Sequence, residues 1–124
     1  MTNVFSDQER FMRACEQTVD TNNESQFNMY INLIAEEHSE LTTAINANDR
    51  VEQLDALIDI LVVTVGAIHS AGFDAEGAWK EVMRSNFSKI DKETGMVKKR
   101  DDGKVLKPAD YSPPNLEPFL TKQK

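Results

Sequence analysis

Apolar residues recur at helical spacing through most of the chain, and that period disappears after about Ser85. In FMRACEQTV, Phe11, Ala14, Cys15 and Val19 stand three and four apart, which lines one side of an α-helix. Ser6 followed by Glu9 reads as a capping box that opens this first helix. TNNES interrupts the pattern. A long second helix is expected from near Gln26, with Tyr30, Leu33, Ile34, Leu41, Ala44 and Ile45 on its apolar side. NAND ends it, and Asp49 with Glu52 behind it caps a third helix from about Arg50 to Ser70, which stops at Gly72, a natural C′ glycine. Asp74 caps a fourth helix carrying Ala78, Trp79, Val82 and Met83.

The segment IDKETGMVKKRDDGKVLKP holds two turn signals, Glu93-Thr94-Gly95 and Asp102-Gly103, between short strand-like pieces. A small hairpin is expected there, and Pro108, Pro113, Pro114 and Pro118 make the rest extended. The pattern therefore predicts an all-α fold, a four-to-five-helix bundle over residues 1–88 with a basic hairpin and Pro-rich tail of the same domain over 89–124. Residues 57–68 are apolar nearly all round, which calls for burial on more than one side. Four helices of one small chain cannot supply it, so a homo-oligomer, dimer or tetramer, is expected.

Composition narrows the function. A chain of 124 residues supports one modest domain. A net charge of −7 and a pI near 4.8 argue against general binding to a nucleic-acid backbone. Cys15 stands alone, which excludes an internal disulfide framework and a cysteine zinc site, and it reads as a small buried apolar residue. MTNVFSDQER lacks the regions of a signal peptide, and Asp55 and Asp59 interrupt the longest apolar stretch before it could span a bilayer. The expectation is a soluble cytoplasmic protein. Within this acidic chain the tail is basic, with Lys89, Lys92, Lys98, Lys99, Arg100, Lys104 and Lys107.

The candidate chemistry lies in the helices. In LIAEEHSEL, Glu36 and Glu40 share one stripe of the second helix and Glu37 stands beside them, so three like charges repel. Asp59 sits among Ile58, Ile60, Leu61, Val62 and Val63, where an ionised carboxylate is costly without a partner. A hard divalent cation, Mg²⁺ or Mn²⁺, is the simplest partner for several converging carboxylates. The same residues have plainer readings. Glu36, Glu37 and Glu40 alone resemble a solvated helix face, and Asp59 could meet a buried lysine or tyrosine. His38 reads as exposed, His69 as a residue favouring the helix C-terminal dipole, and Trp79 and Phe87 as core.

Taken together, these segments resemble the MazG-like, all-α nucleoside triphosphate pyrophosphohydrolases. LIAEEHSEL resembles their EExxE motif, DALIDILVVTVGA their metal-binding third helix, and RSNFSK with DGKVLKPADYSPPNL the tail of phage and bacterial members, over about Phe11 to Leu116. The resemblance implies Mg²⁺- or Mn²⁺-dependent cleavage of a (deoxy)nucleoside triphosphate between the α- and β-phosphates, in the cytoplasm of the host for a phage-encoded chain. It implies roughly two or three ions per site on Glu36, Glu37, Glu40 and Asp59, with Glu36 or Glu37 acting on the attacking water. Asn86, Lys89, Lys104, Lys107 and Tyr111 match its substrate-binding stretches. One departure stands out: Ala56 occupies the position of the glutamate in the family's ExxD, and Asp55, at i−4 from Asp59, is preferred over Glu52 as its replacement. A phosphoribosyl-ATP pyrophosphohydrolase ranks second, and a non-catalytic helical interaction module third. A ferritin-like di-iron bundle needs Glu-x-x-His pairs, whereas Glu36 and Glu37 are followed by Ser39 and Glu40.

Overall fold

The computed structural model describes residues 3–122 of the chain. Four α-helices follow in order, α1 Val4–Ala14, α2 Glu24–Asn46, α3 Arg50–Ser70 and α4 Ala75–Phe87, and a single 3₁₀ turn, Glu117–Phe119, closes the tail. Each α-helix opens on an Asn or Asp whose side chain accepts from a backbone N–H of the first turn: Asn3 from Ser6, Asn23 from Gln26, Asp49 from Glu52 and Asp74 from Gly77. The capping box of α1 is Asn3 with Ser6, so the expected Ser6–Glu9 pairing gives way to one three residues earlier. Asn3 offers a carbonyl oxygen to the same first turn, and Glu9 instead pairs with Arg13 at 3.1 Å. α1 also stops at Ala14, and Val19 reaches the core from the loop that follows.

α2 and α3 form the central antiparallel pair, joined by a tight turn at Ala47–Asn48–Asp49, and α1 packs across the second half of α3. Met12, Val19, Tyr30 and Ala67 make the buried centre, flanked by Phe27, Leu33, Ile34 and Val63. Gly66 lets α3 approach α2 closely, because a Cβ there would meet the Tyr30 ring. Gly66→Ala is therefore expected to destabilise the fold by about 1–3 kcal/mol, read as a lower midpoint in urea unfolding. Polar ties lock the far end of the pair. Ser70 Oγ donates to Gly66 O at 2.7 Å, Gln26 Nε2 donates to Ser70 Oγ at 2.8 Å, and Asn23 N donates to Ser70 O at 2.7 Å.

Gly72 ends α3 with a φ of +76°, and the backbone of Thr21 lies where a side chain would stand, so the position needs glycine twice over. The chain then bends by 115° into α4. α4 runs to Phe87, so Ser85 and Asn86 are helical, two residues beyond the point where the apolar period fades. Beyond it the expected hairpin resolves into two successive tight loops, each closed by one antiparallel bridge, Ile90 with Val97 and Lys99 with Val105. Gly95 and Gly103 turn them.

Among the described residues no single helix is long and apolar enough to cross a membrane. Several large apolar side chains remain uncovered by the chain itself. On α3 these include Val51, Leu54, Leu57, Ile58, Leu61 and Val62, and on α2 Met29, Ile31 and Ile45. Trp79 and Phe87, expected in the core, are 57% and 60% exposed, and Cys15, expected buried, is exposed. α4 meets the rest of the chain along a narrow contact, which leaves its outer face, with both aromatics, unburied. Cys15 sits at the C-cap of α1, beyond the stripe that reaches the core.

Candidate active site

The carboxylates converge from α2 and α3. Glu37 and Glu40 lie a turn apart on α2, and Asp55 and Asp59 a turn apart on the facing stretch of α3. Helical spacing brings each pair together, and the antiparallel packing of α2 on α3 brings the pairs to one place. Glu37 is half-buried, and its Oε2 is shut off from solvent with no hydrogen-bond partner. Burial first, then the neighbouring Glu40, Asp59 and Asp55, push the Glu37 carboxyl up from an ordinary 4.5 to about 7. Asp59 is raised for the same reasons, burial first and then Asp55 and Glu40. Asp55, rather than Glu52, acts on both. The charges acting on Glu37 and Asp59 are carboxylates, and none of the tail lysines is among them.

A cleft of about 420 Å³ opens beside this cluster, lined by Ser39, Glu40, Thr43, Ala44, Ala47, Asp49, Glu52, Asp55 and Ala56. Ala44, Ala47 and Ala56 keep it open, since larger side chains at these positions would fill it. Ala56, which breaks the expected ExxD spacing, is thus part of the cleft wall and is 2% exposed. A larger cavity, about 840 Å³, lies at the other end of the α2–α3 pair under the end of the tail. Its Asp20 is paired with Arg13 and Lys122, whereas no cation among the described residues stands beside Glu37 or Asp59.

Two observations test whether the acids suit a divalent cation. Among the described residues no three of His, Cys, Asp or Glu stand close enough to form a ready-made cage. Against that, an orphaned, solvent-shielded carboxylate oxygen facing other carboxylates is a costly arrangement for a chain without a cation. The donor set is all oxygen, as Mg²⁺ and Mn²⁺ prefer. The residues fit the group, with side-chain adjustment needed to close around it. Glu36 is exposed beside the cluster, and His38 is exposed as expected. His69 is buried at the end of α3, with Nε2 at 2.8 Å from Phe5 O, in a structural contact away from the acids.

The proton balance of this cluster has a measurable consequence. Because Glu37 holds its proton more tightly folded than unfolded, its contribution to stability is fully present below about pH 4.5 and is lost as pH rises through about 7. Asp59 shifts in the same direction. The chelator-treated protein is therefore expected to melt at a lower temperature at pH 8 than at pH 5.5, and added Mg²⁺ to raise the melting point more at pH 8 than at pH 6. A flat profile in chelator would separate these carboxylates from one another.

The tail forms a second group. Lys89 Nζ and Lys107 Nζ lie 5.8 and 4.9 Å from the centre of the Tyr111 ring, and Lys89 Nζ donates to Asn86 Oδ1 at 3.2 Å. Four of the five tail residues singled out from the sequence are thereby brought together. Lys104 is not; its backbone closes the second tight loop through Asp102 and Arg100. Other tail cations are engaged locally, Lys92 with Asp110, Lys98 with Asp91 and Arg100 with Asp102. Among the described residues Lys89 and Lys107 make no ion pair with a carboxylate, which leaves both charges available to an anion. Glu81, Arg84, Ser88 and Ser112, none of them among the site residues expected from the sequence, hold this segment against α4. Their only sequence signal is the i, i+3 charge pair of Glu81 and Arg84.

The fold is all-helical, as in the all-α pyrophosphohydrolases, hydrolases that act on phosphoanhydride bonds. Residues 7–86 match the family model described as phosphoribosyl-ATP pyrophosphohydrolase, and the chain belongs to that family, within the MazG-like superfamily. The match takes in most of α1, all of α2 and α3 and nearly all of α4, and ends at Asn86, before the tail lysines and Tyr111. No curated protein matches the chain significantly.

Proposed function

We propose that the chain is a divalent-metal-dependent (deoxy)nucleoside triphosphate pyrophosphohydrolase, releasing a nucleoside monophosphate and pyrophosphate. The observation that carries this reading is the convergence of Glu37, Glu40, Asp55 and Asp59 around a carboxylate oxygen with no partner. These four residues, with Glu36 at the rim, would hold Mg²⁺ or Mn²⁺. A divalent cation supplies charge neutralisation at the phosphate oxygens. Glu37, already a strong proton acceptor in its acidic surroundings, takes the proton of the attacking water, and Glu36 is the other carboxylate within reach of that role. The water oxygen bonds to the α-phosphorus as the bond from that phosphorus to the α–β bridging oxygen breaks, and pyrophosphate leaves with the electron pair. Lys89 and Lys107 hold the β- and γ-phosphates, Asn86 and Tyr111 fix those lysines, and Lys104 adds charge at the rim.

The exposed apolar face of α3 supports a homo-oligomer, at least a dimer, because Val51, Leu54, Ile58 and Leu61 form one stripe directly beside the Glu52–Asp55–Asp59 stripe. A second copy on that stripe would cover the apolar side chains and wall the acid cleft. The family match favours a second substrate, phosphoribosyl-ATP, which is cleaved at the same α–β linkage. A nucleotide panel with Mg²⁺ and Mn²⁺, reading monophosphate and pyrophosphate, decides between the two. Orthophosphate release, or no turnover of any member, would refute the assignment. Turnover of phosphoribosyl-ATP alone would transfer it to the second substrate.

A further inference from the structure

The tail follows α4 back along its length, and two charged side chains hold it there. Glu81 accepts from Arg84 Nε at 2.7 Å and from Arg84 Nη2 at 2.8 Å, and its Oε2 also accepts from Asn115 N at 2.7 Å. Arg84 Nη2 donates as well to Pro113 O at 3.2 Å. The two side chains therefore form a fork that grips the tail backbone at both ends of Pro113–Asn115. One residue earlier, Ser112 N donates to Ser88 Oγ at 3.0 Å, and Ser88 Oγ donates back to Ser85 O at 2.6 Å. Further along, Phe119 lies over Gly77, where a Cβ would strike its ring, and Phe119 O accepts from Asp74 N at 2.9 Å.

The gripped stretch begins next to Tyr111, the ring on which Lys89 and Lys107 converge. Lys89 comes from the end of α4 and Lys107 from the tail, so their spacing depends on where the tail is held. We propose that Glu81 and Arg84 are positioning residues for polyphosphate binding: by pinning Pro113–Asn115 to α4 they set the Tyr111 ring and, around it, the two lysines as one anion cradle. Neither touches the anion. Glu81 is suited to the task because the Arg84 guanidinium and the Asn115 N–H hold its carboxyl down at about 2, so the grip stays ionised across the physiological range. A lone i, i+3 pair on a helix surface has little to do with stability. Its two hydrogen bonds with an irregular segment are what give this one a purpose.

The proposal rests on the pyrophosphohydrolase reading for its ligand class, and its test does not need turnover. Tripolyphosphate is titrated into the full chain in metal-free buffer while the ring resonances of Tyr111 are followed by NMR, which is feasible with two tyrosines in the sequence. Wild type is expected to shift its Tyr111 signals on binding. Glu81→Gln is expected to weaken tripolyphosphate binding about tenfold with Mn²⁺ binding at the acid cluster unchanged. Asn115→Pro, which removes the N–H received by Glu81 and the side-chain oxygen that accepts from Glu117 N but lies outside α4, is expected to do the same. In turnover, both variants raise KM by a similar factor with kcat within about twofold. Wild-type affinity for tripolyphosphate in both folded variants, or no binding by wild type, overturns the cradle and its clamp. Clamp-dependent binding in a chain that hydrolyses no nucleotide would instead retain the cradle and remove the enzymatic reading.

Discussion

Glu37→Gln is expected to reduce pyrophosphate release by roughly 10²–10⁴-fold while the helical content by circular dichroism stays at the wild-type level. Gln is close in size and in helix propensity to Glu, so α2 has no reason to unwind. What disappears is the carboxylate that burial and three acidic neighbours have made the strongest base of the group, together with an oxygen that has no partner in the chain. The same change also relieves repulsion within the cluster, so the chelator-treated variant should melt no lower than wild type. Loss of activity without loss of fold separates a catalytic carboxylate from a structural one. Wild-type turnover in Glu37→Gln would remove the residue from the reaction.

Ile58→Lys is expected to convert the proposed oligomer to monomer. Ile58 is 51% exposed, in the middle of an apolar stripe with Leu54 and Leu61 on either side. Fully burying such a side chain contributes about 1.5–3 kcal/mol, and the fold already covers about half of Ile58, so about 0.8–1.5 kcal/mol is left for the interface. In a two-fold interface every residue acts twice, so one substitution forfeits about 1.5–3 kcal/mol. That corresponds to roughly 10–10² in the dissociation constant, before the cost of burying a lysine charge. Light scattering on a dilution series reads the result directly. The stripe adjoins Asp55 and Asp59, so the monomer should also lose activity as the cleft opens to bulk water. A wild-type chain that stays monomeric at high micromolar concentration would refute the assembly.

Elements with local causes were legible in the chain itself. α3 begins at Arg50 behind Asp49 and ends at Ser70 before Gly72, as the cap and the glycine predicted, because both signals act within a few residues. Asp74 opens α4 for the same reason. α1 is capped by Asn3 and not by Ser6, since either residue could cap and only the whole first turn chooses. The i−4 spacing puts Asp55 next to Asp59, and Asp55 stands among the acids that, after burial, raise the Asp59 and Glu37 carboxyls. Burial was legible only on average. Cys15, Trp79 and Phe87 have apolar side chains suited to a core, yet each is largely exposed, Trp79 meeting only the Phe5 ring among the aromatic side chains of the described residues.

By itself, the sequence determined the four helices, the caps of α3 and α4, and the acid pairs on α2 and α3. Each follows from short-range geometry, the turn of a helix or the reach of a cap. Only the tertiary structure decided which acids meet, that Ala56 opens a cleft where a glutamate was expected, and that Lys89 and Lys107 converge on Tyr111 while Lys104 does not. It also revealed that Glu81 and Arg84 grip the tail backbone. Those contacts join residues far apart along the chain, and their geometry depends on how helices pack and where an irregular segment lies, which no periodicity encodes.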